Sequence, residues 1–289
     1  MSAQLLFKQH QIITVTHKSS DTSDQKDDVL ALEEPMEIVI EQEQPTGIEK
    51  ESVYVTMRTP GNDFDLAIGF LFSEGYIQSA SDVLNVAHCG PKTAPYDIHN
   101  IVKVTLAAGV PWRNLRSKRN TQGNSSCGLC GITSLKAVKI GIEDLTARWQ
   151  IDSLAISALE PVISQHQPMF NQTGGIHAVS LFDNKGNWLR TMEDVGRHNA
   201  MDKIIGASLM AGALPLDQHI IVTTSRASFE LVQKSARAGC NLLCAVSAPS
   251  SLAVQLAEEV GQTLVGFLRP GRFNLYHNPY ERIILPSPQ

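Results

Sequence analysis

No apolar run in this 289-residue chain approaches the length of a membrane span, so no spanning helix organises the sequence. An excess of one charge is also missing. The 24 Lys and Arg against 29 Asp and Glu leave a net charge of -5, too little to draw the whole surface to nucleic acid or an anionic bilayer. Any anion site must therefore be local. The first residues, Met1-Ser2-Ala3-Gln4-Leu5-Leu6-Phe7, lack the charged and apolar regions of a signal peptide. Cysteine is scarce: five residues, an odd number without framework spacing, which argues for a reducing cytosol rather than a disulfide scaffold. The expectation is a cytoplasmic protein whose thiols stay reduced or cycle. The rest is ordinary for a globular chain, 43% hydrophobic and 18% charged, with material for one large or two modest domains.

Residues 1–34 read as a flexible acidic lead-in, because Asp21, Asp24, Asp27, Asp28, Glu33 and Glu34 face only Lys26 between Ser19 and Glu34. Residues 35–112 read as a mixed, sheet-rich domain. Glu37 to Ile40, Ser52 to Arg58 and Ile101 to Leu106 are its strands. Thr59-Pro60-Gly61 turns the chain into a helix capped by Asn62 or Asp63 and stopped near Gly75; Phe64, Ala67, Ile68, Leu71 and Phe72 share one face. Residues 113–150 hold a basic loop, expected to be mobile, and a cysteine pair. From 151 to 289 the rhythm is clearer. A helical stretch from Asp152 to Phe170 precedes a hairpin of Ile176 to Phe182 and Trp188 to Met192. Three helix–strand pairs follow, with helices near His198 to Met210, Phe229 to Ala238 and Ser251 to Val260. This α/β alternation predicts a largely parallel sheet covered on both faces.

Ligands of open α/β sheets sit beyond the strand carboxyl ends, where helix N-termini present free N–H groups. The segments leaving those ends are Glu193 to Asn199, Thr223 to Arg226, Ser247 to Ser251 and Arg269 to Arg272. Hydroxyls, arginines and a histidine thus converge on one edge, as a phosphorylated ligand requires. Helix capping accounts for Ser225 and Ser250 without any ligand, but not for two arginines flanking Pro270-Gly271. His177 is read evenly as a ligand contact or a satisfied buried histidine.

The most informative stretch is Ser125-Ser126-Cys127-Gly128-Leu129-Cys130-Gly131. Two thiols at this spacing can share a metal, form a disulfide or pass a sulfur atom. Arg113, Arg116, Lys118 and Arg119 precede them with no acid among them, and a helix beginning after Gly131 would also favour thiolate. Structural zinc needs four ligands; the other close pair, Cys240 and Cys244, lies in an apolar strand and reads as core, as Cys89 reads as packing. A thioredoxin-like exchanger would place its pair directly after a strand, whereas a long polar loop comes first here; that reading stays open. Zinc deamination needs H-x-E upstream of P-C-x-x-C, and Gly175-Ile176-His177-Ala178-Val179 has no glutamate and lies downstream. The α-β-β-α-β-α-β-α-β order nevertheless matches a deaminase-like fold, and fold is not function.

Several separated motifs together resemble one family: Thr59-Pro60-Gly61-Asn62-Asp63, Ser126 to Gly131, Thr173-Gly174-Gly175-Ile176-His177, Glu193 to Lys203, Thr224-Ser225-Arg226 and Phe267-Leu268-Arg269-Pro270-Gly271-Arg272. From about Glu34 to about Tyr276 the chain resembles the formate dehydrogenase accessory sulfurtransferases, the FdhD family. The resemblance implies an α/β protein with a cytidine-deaminase-like three-layer C-terminal domain and no metal of its own. It implies a sulfurtransferase that takes a persulfide sulfur from a cysteine desulfurase. The sulfur goes to the molybdenum cofactor in its bis-molybdopterin guanine dinucleotide form, destined for the formate dehydrogenase apoenzyme. Cys127 would carry the persulfide with Cys130 assisting, and Phe267, Leu268, Arg269, Pro270, Gly271 and Arg272 would contact the cofactor. His198, Asn199, Ser225 and Arg226 suit its phosphates or bases, and Asp194 a guanine edge. The resemblance also implies a homodimer.

Overall fold

The computed structural model describes residues 9–18, 22–112 and 142–286. The N-terminal unit is a four-stranded sheet in the order β4-β3-β6-β5, formed by β3 (Glu34–Gln44), β4 (Gly47–Arg58), β5 (Val83–Thr93) and β6 (Ile98–Leu106). Strict alternation sends Met36, Ile38 and Ile40 of β3, with Val102, Val104 and Leu106 of β6, to one buried face. Helix α1 (Asp63–Ser73) covers that face, and Tyr54 of β4 stacks on its Phe70 at 4.1 Å. Asn62 takes the cap position in a left-handed conformation (φ 56) without a side-chain cap bond; Asp63 is buried in an ion pair instead. At the other end Gly75 (φ 87) terminates the helix as its position predicts.

The lead-in departs from expectation. β1 (His10–Lys18) and β2 (Ser23–Ala31) form an antiparallel ribbon pairing His10 with Ala31 through Lys18 with Ser23. The acids do not prevent this, because they meet complementary partners: Thr14 donates to Asp27 (2.9 Å), and His17 faces Asp24 (3.4 Å). Gln9 at its root donates to the Pro60 carbonyl, and Tyr96 donates to Gln11.

The C-terminal unit contains a six-stranded sheet, β13-β12-β11-β10-β8-β9. Its strands are β8 (His177–Asp183), β9 (Trp188–Asp194), β10 (His219–Thr223), β11 (Leu242–Ala245), β12 (Thr263–Arg269) and β13 (Arg272–His277). A minor pair joins β7 (Ile151–Asp152) to β14 (Ile283–Ile284). The expected largely parallel sheet is corrected to a mixed one: only β10–β11 and β11–β12 run parallel, while hairpins add antiparallel strands at both sides. The two-residue turn after Arg269 and the four-residue turn after Asp183 force the two hairpins, since a parallel neighbour needs a longer crossover. The expected helical stretch from Asp152 to Phe170 is three short helices, α2 (Ser153–Ser157), α3 (Leu159–Gln165) and α4 (Pro168–Thr173). Pro168 ends the run by driving Gln167 out of helical geometry (φ -119, ψ 66).

Both sheet faces are covered. Val179, Leu181, Ile221 and Leu243 pack under α5 (Arg197–Met210), α6 (Phe229–Arg237) and α7 (Ser251–Val260). Phe182, Ile220, Val222, Leu242 and Cys244 face Ile156, Leu159 and Ile163 of α2 and α3. One apolar core runs from Met36 of the first sheet to Leu264 of the second. The units meet where α1 crosses α5 at glycines. A Cβ on Gly69 would lie 1.8 Å from the Asp202 carbonyl oxygen, and one on Gly206 would lie 1.9 Å from that of Asp65. Among the described residues no helix is long and apolar enough to cross a membrane.

Candidate functional site

The sheet brings the sequence-predicted residues to one edge. Val246 N–H donates to Thr223 O, and Thr224 N–H donates to Ala178 O. Phe267 N–H donates to Ser247 O, and His177 pairs with Asp194. The start of β8 and the ends of β9 to β12 therefore form a continuous shelf, with α5 and α6 leaving from it. Arg226 and Arg272 are exposed on this shelf. Phe267 is 45% exposed and holds φ at 52, a left-handed conformation unusual for a bulky residue. The register of β12 with β13 shifts between Gly266 and Arg269, and that irregularity permits the backbone. Pro270-Gly271 (Gly271 φ 74) makes the tight turn that sets Arg269 opposite Arg272, a like-charge pair that an anion would relieve.

Several of the named side chains have partners within the protein. Arg269 Nη1 donates to Val246 O (2.6 Å) and Leu268 O (2.7 Å), and Leu268 is buried. Ser225 is not a cap: its hydroxyl meets Thr223 Oγ1 (2.9 Å) and the Arg226 carbonyl (3.0 Å), while Ser228 occupies the cap position of α6. Ser250 does cap α7, accepting from Ala253 N–H. Asn199 is buried; its amide donates to Met57 O (2.7 Å) and Asp194 Oδ1 (2.9 Å). Asp194 also accepts from Gly196 N–H, Thr59 N–H and Lys203 Nζ, the last at 2.7 Å. These bonds engage both carboxylate oxygens and give Asp194 an internal role in place of the guanine contact suggested by its position. His198 Nε2 lies 3.5 Å from Ser228 Oγ and 3.7 Å from Glu230 Oε2. The imidazole beside it holds the Glu230 carboxyl down to about 2. Burial, then the charge of Arg197, lowers the pKa of the half-buried His177.

The expected core thiols are core. Cys240 and Cys244 are free and buried, and burial pushes Cys240 up to about 11 and Cys244 further. Cys89 is free and half-buried on β5. Among the described residues no group of three or more His, Cys, Asp or Glu could hold a metal. Cys127 and Cys130, with the basic run before them, lie outside the described residues. Two clefts of about 320 and 310 Å³ are lined by residues such as Tyr76 and Val110, and Phe64 and Leu84. Neither touches the shelf.

The family model described as FdhD/NarQ matches residues 31–284. The chain belongs to the FdhD/NarQ family. Relatives named sulfur carrier protein FdhD include one from Streptomyces avermitilis, 45% identical over 86% of this chain and 87% of that one. Another, from Mycolicibacterium paratuberculosis, is 43% identical over 91% of this chain and 94% of its own. A solved structure described as a formate dehydrogenase accessory protein from Desulfotalea psychrophila superposes with a TM-score of 0.73 at 25% identity, covering 96% of this chain and 100% of that one.

The FdhD/NarQ match spans both sheets and the stretch holding Cys127 and Cys130. Two shelf residues escaped the sequence reading. Arg197 was passed over for its neighbours His198 and Asn199, although it is the first residue of α5. Glu230 carried no motif; it lies beside His198 only because α5 and α6 start at the same edge.

Proposed function

We propose that this chain is a sulfur carrier for formate dehydrogenase maturation, working through a cysteine persulfide. The observation that carries the reading is the family match over residues 31–284, a span that contains Cys127-Gly128-Leu129-Cys130, together with relatives named sulfur carriers at up to 45% identity. In the proposed cycle the Cys127 thiolate attacks the outer sulfur of a desulfurase persulfide, the desulfurase thiolate leaves, and Cys127 holds the sulfane sulfur. The acceptor is the molybdenum cofactor in its bis-guanine-dinucleotide form, a substrate rather than a resident group. Attack of the Cys130 thiolate on Cys127 Sγ then expels the outer sulfur as hydrosulfide to that acceptor. The two thiolates supply the two electrons that turn sulfane sulfur into sulfide. A cellular dithiol reduces the resulting Cys127–Cys130 disulfide.

The shelf is the proposed cofactor platform. Arg272 and Arg226 offer charge to the pyrophosphates, Phe267 an aromatic face, and Arg269, pinned by Val246 O, keeps the corner in place. The three-layer C-terminal unit is proposed to be deaminase-like in descent, without that chemistry. A cytoplasmic homodimer meeting a cysteine desulfurase and the formate dehydrogenase apoenzyme completes the reading.

Whole-protein mass spectrometry after incubation with desulfurase and free cysteine tests it. The parent gains one sulfur atom, Cys127→Ala gains none, and Cys130→Ala loads but delivers poorly. A parent that binds the cofactor yet gains no sulfur would be a scaffold. A disulfide forming without sulfur gain would make the pair a thiol–disulfide exchanger.

A further inference from the structure

We infer that the cleft between α1 and β5 is a docking site for an extended segment of a partner protein, one that carries large apolar side chains beside a lysine or arginine. The inference goes beyond the carrier reading and does not depend on it.

The cleft holds about 310 Å³. Helix α1 contributes Phe64, Asp65 and Ile68, β5 contributes Leu84 and Val86, and Met210 comes from the last turn of α5. Its rim is apolar yet open to water: Leu84 is 67% exposed, Met210 47% and Phe64 40%. Single exposed apolar residues mean little, but three around one cleft mark a binding surface.

The pairing of β5 explains how Leu84 comes to face water. The ladder joins Val83 to Leu106 and Asn85 to Thr105, so Leu84 is the extra residue of a bulge, which re-aims its side chain. β5 is also the last strand of its sheet, and its outer side carries no strand among the described residues. Sheet edges are commonly blunted by charge, proline or irregular pairing. Gly90-Pro91 does this at the far end, where the register shifts again between Cys89 and Lys92. From Asn85 to Cys89 the pairing is regular, and no lysine, arginine or proline interrupts it. An extended segment added there would pair with the outer backbone groups and send alternate side chains into the cleft. A helix would leave those groups unpaired.

Charge says which kind of segment. Among the described residues Asp65 is the one ionisable side chain lining the cleft. Its carboxylate takes a single bond there, from the Asn62 amide at 3.4 Å, and no ion pair. Burial pushes its pKa up, against the Asn62 bond and the charges of Arg190 and Lys203. Lys203 is already committed to Asp194. An incoming lysine or arginine would keep the half-buried carboxylate charged and paired. A second copy of this chain fits less well, because Val83 to Cys89 offers no lysine or arginine to meet Asp65. Helix α5 has 14 residues, so the cleft at its end lies about 20 Å from the shelf at its start. A partner docked in the cleft therefore leaves the shelf open.

Fluorescence anisotropy on the full-length protein tests this with two labelled peptides. In the first, leucine and lysine take turns at every second position with threonine between them; in the second, glutamate replaces lysine. The parent should bind the lysine peptide and bind the glutamate peptide about tenfold less well or worse. Leu84→Ser and Met210→Ser should each weaken the lysine peptide by about tenfold, since each removes an apolar contact from the rim. Asp65→Asn, which keeps the shape, should erase the preference between the two peptides. Thermal unfolding shows that each variant is folded, and either rim variant serves if the other is not. No binding to the parent, equal binding of both peptides, or undiminished binding to both rim variants overturns the proposal. So does a parent that sediments as a dimer and becomes monomeric in Leu84→Ser, because a second copy is then the occupant.

Discussion

The seam between the two units and the shelf at the sheet edge use the same residue types in opposite ways. At the seam every named charge is matched. Beneath the α1 side of the seam, Arg58 is fully buried with all its partners in the first unit; it holds Asp63 through two bonds (2.9 and 3.0 Å), and donates to Glu34 O, His99 O and Asn100 Oδ1. Asp202 is held by Lys234 at 2.8 Å and by Ser73. Near the far side, Arg282 is buried among the oxygens of Leu145, Ala147, Asn241, Gly261 and Thr263; burial lowers its pKa to about 10, against the opposing pull of Tyr280 and Cys240. At the shelf, Arg226 and Arg272 face solvent, and Arg197 keeps a donor without an acceptor among the described residues. Arginines with a full set of acceptors fix the fold; those without are the ones with binding capacity left.

Breaking the seam should have the largest effect. Asp63→Ala strands the Arg58 guanidinium in a dry site and should cost about 3–5 kcal/mol of stability, measured by urea unfolding. A loss below about 1 kcal/mol would mean that the seam charges are not truly desolvated.

A smaller effect should appear where the two regions grade into each other, at Glu230. Its carboxyl is held at about 2, chiefly by His198, against an ordinary value of 4.5. The charged form therefore stabilises the folded state fully above about pH 4.5, and this contribution fades as pH falls towards 2. Urea midpoints of parent and Glu230→Gln should converge over that window. A gap that stays constant with pH would show that Glu230 acts by packing and not by charge.

The smallest effect belongs to the shelf itself. Arg272→Gln should change stability by no more than about 0.5 kcal/mol, because an exposed side chain without buried partners contributes little. A larger loss would place Arg272 with the seam arginines and remove it from the ligand surface.

Much of this was legible in the chain. The alternation of Met36, Ile38 and Ile40, the glycine stop at Gly75, and the helix–strand rhythm after Gly175 all survive in the structure, because each depends on residues within a few positions of one another. The location of the shelf also followed, since strand ends and helix starts are local features. The acidic ribbon β1–β2 was missed because its pairing joins Thr14 to Asp27 and Gln11 to Tyr96, partners that composition does not reveal.

The sequence by itself determined the family, the element order and the residue types that reach one edge, because motifs and periodicity are written locally. Only the tertiary structure decided which of those residues are already engaged. Asn199 and Asp194 are held by Met57, Thr59 and Lys203, while Arg197 two positions before Asn199 has a donor without a partner among the described residues. Hydrogen-bond capacity is finite, and partners distant in the chain are what use it up.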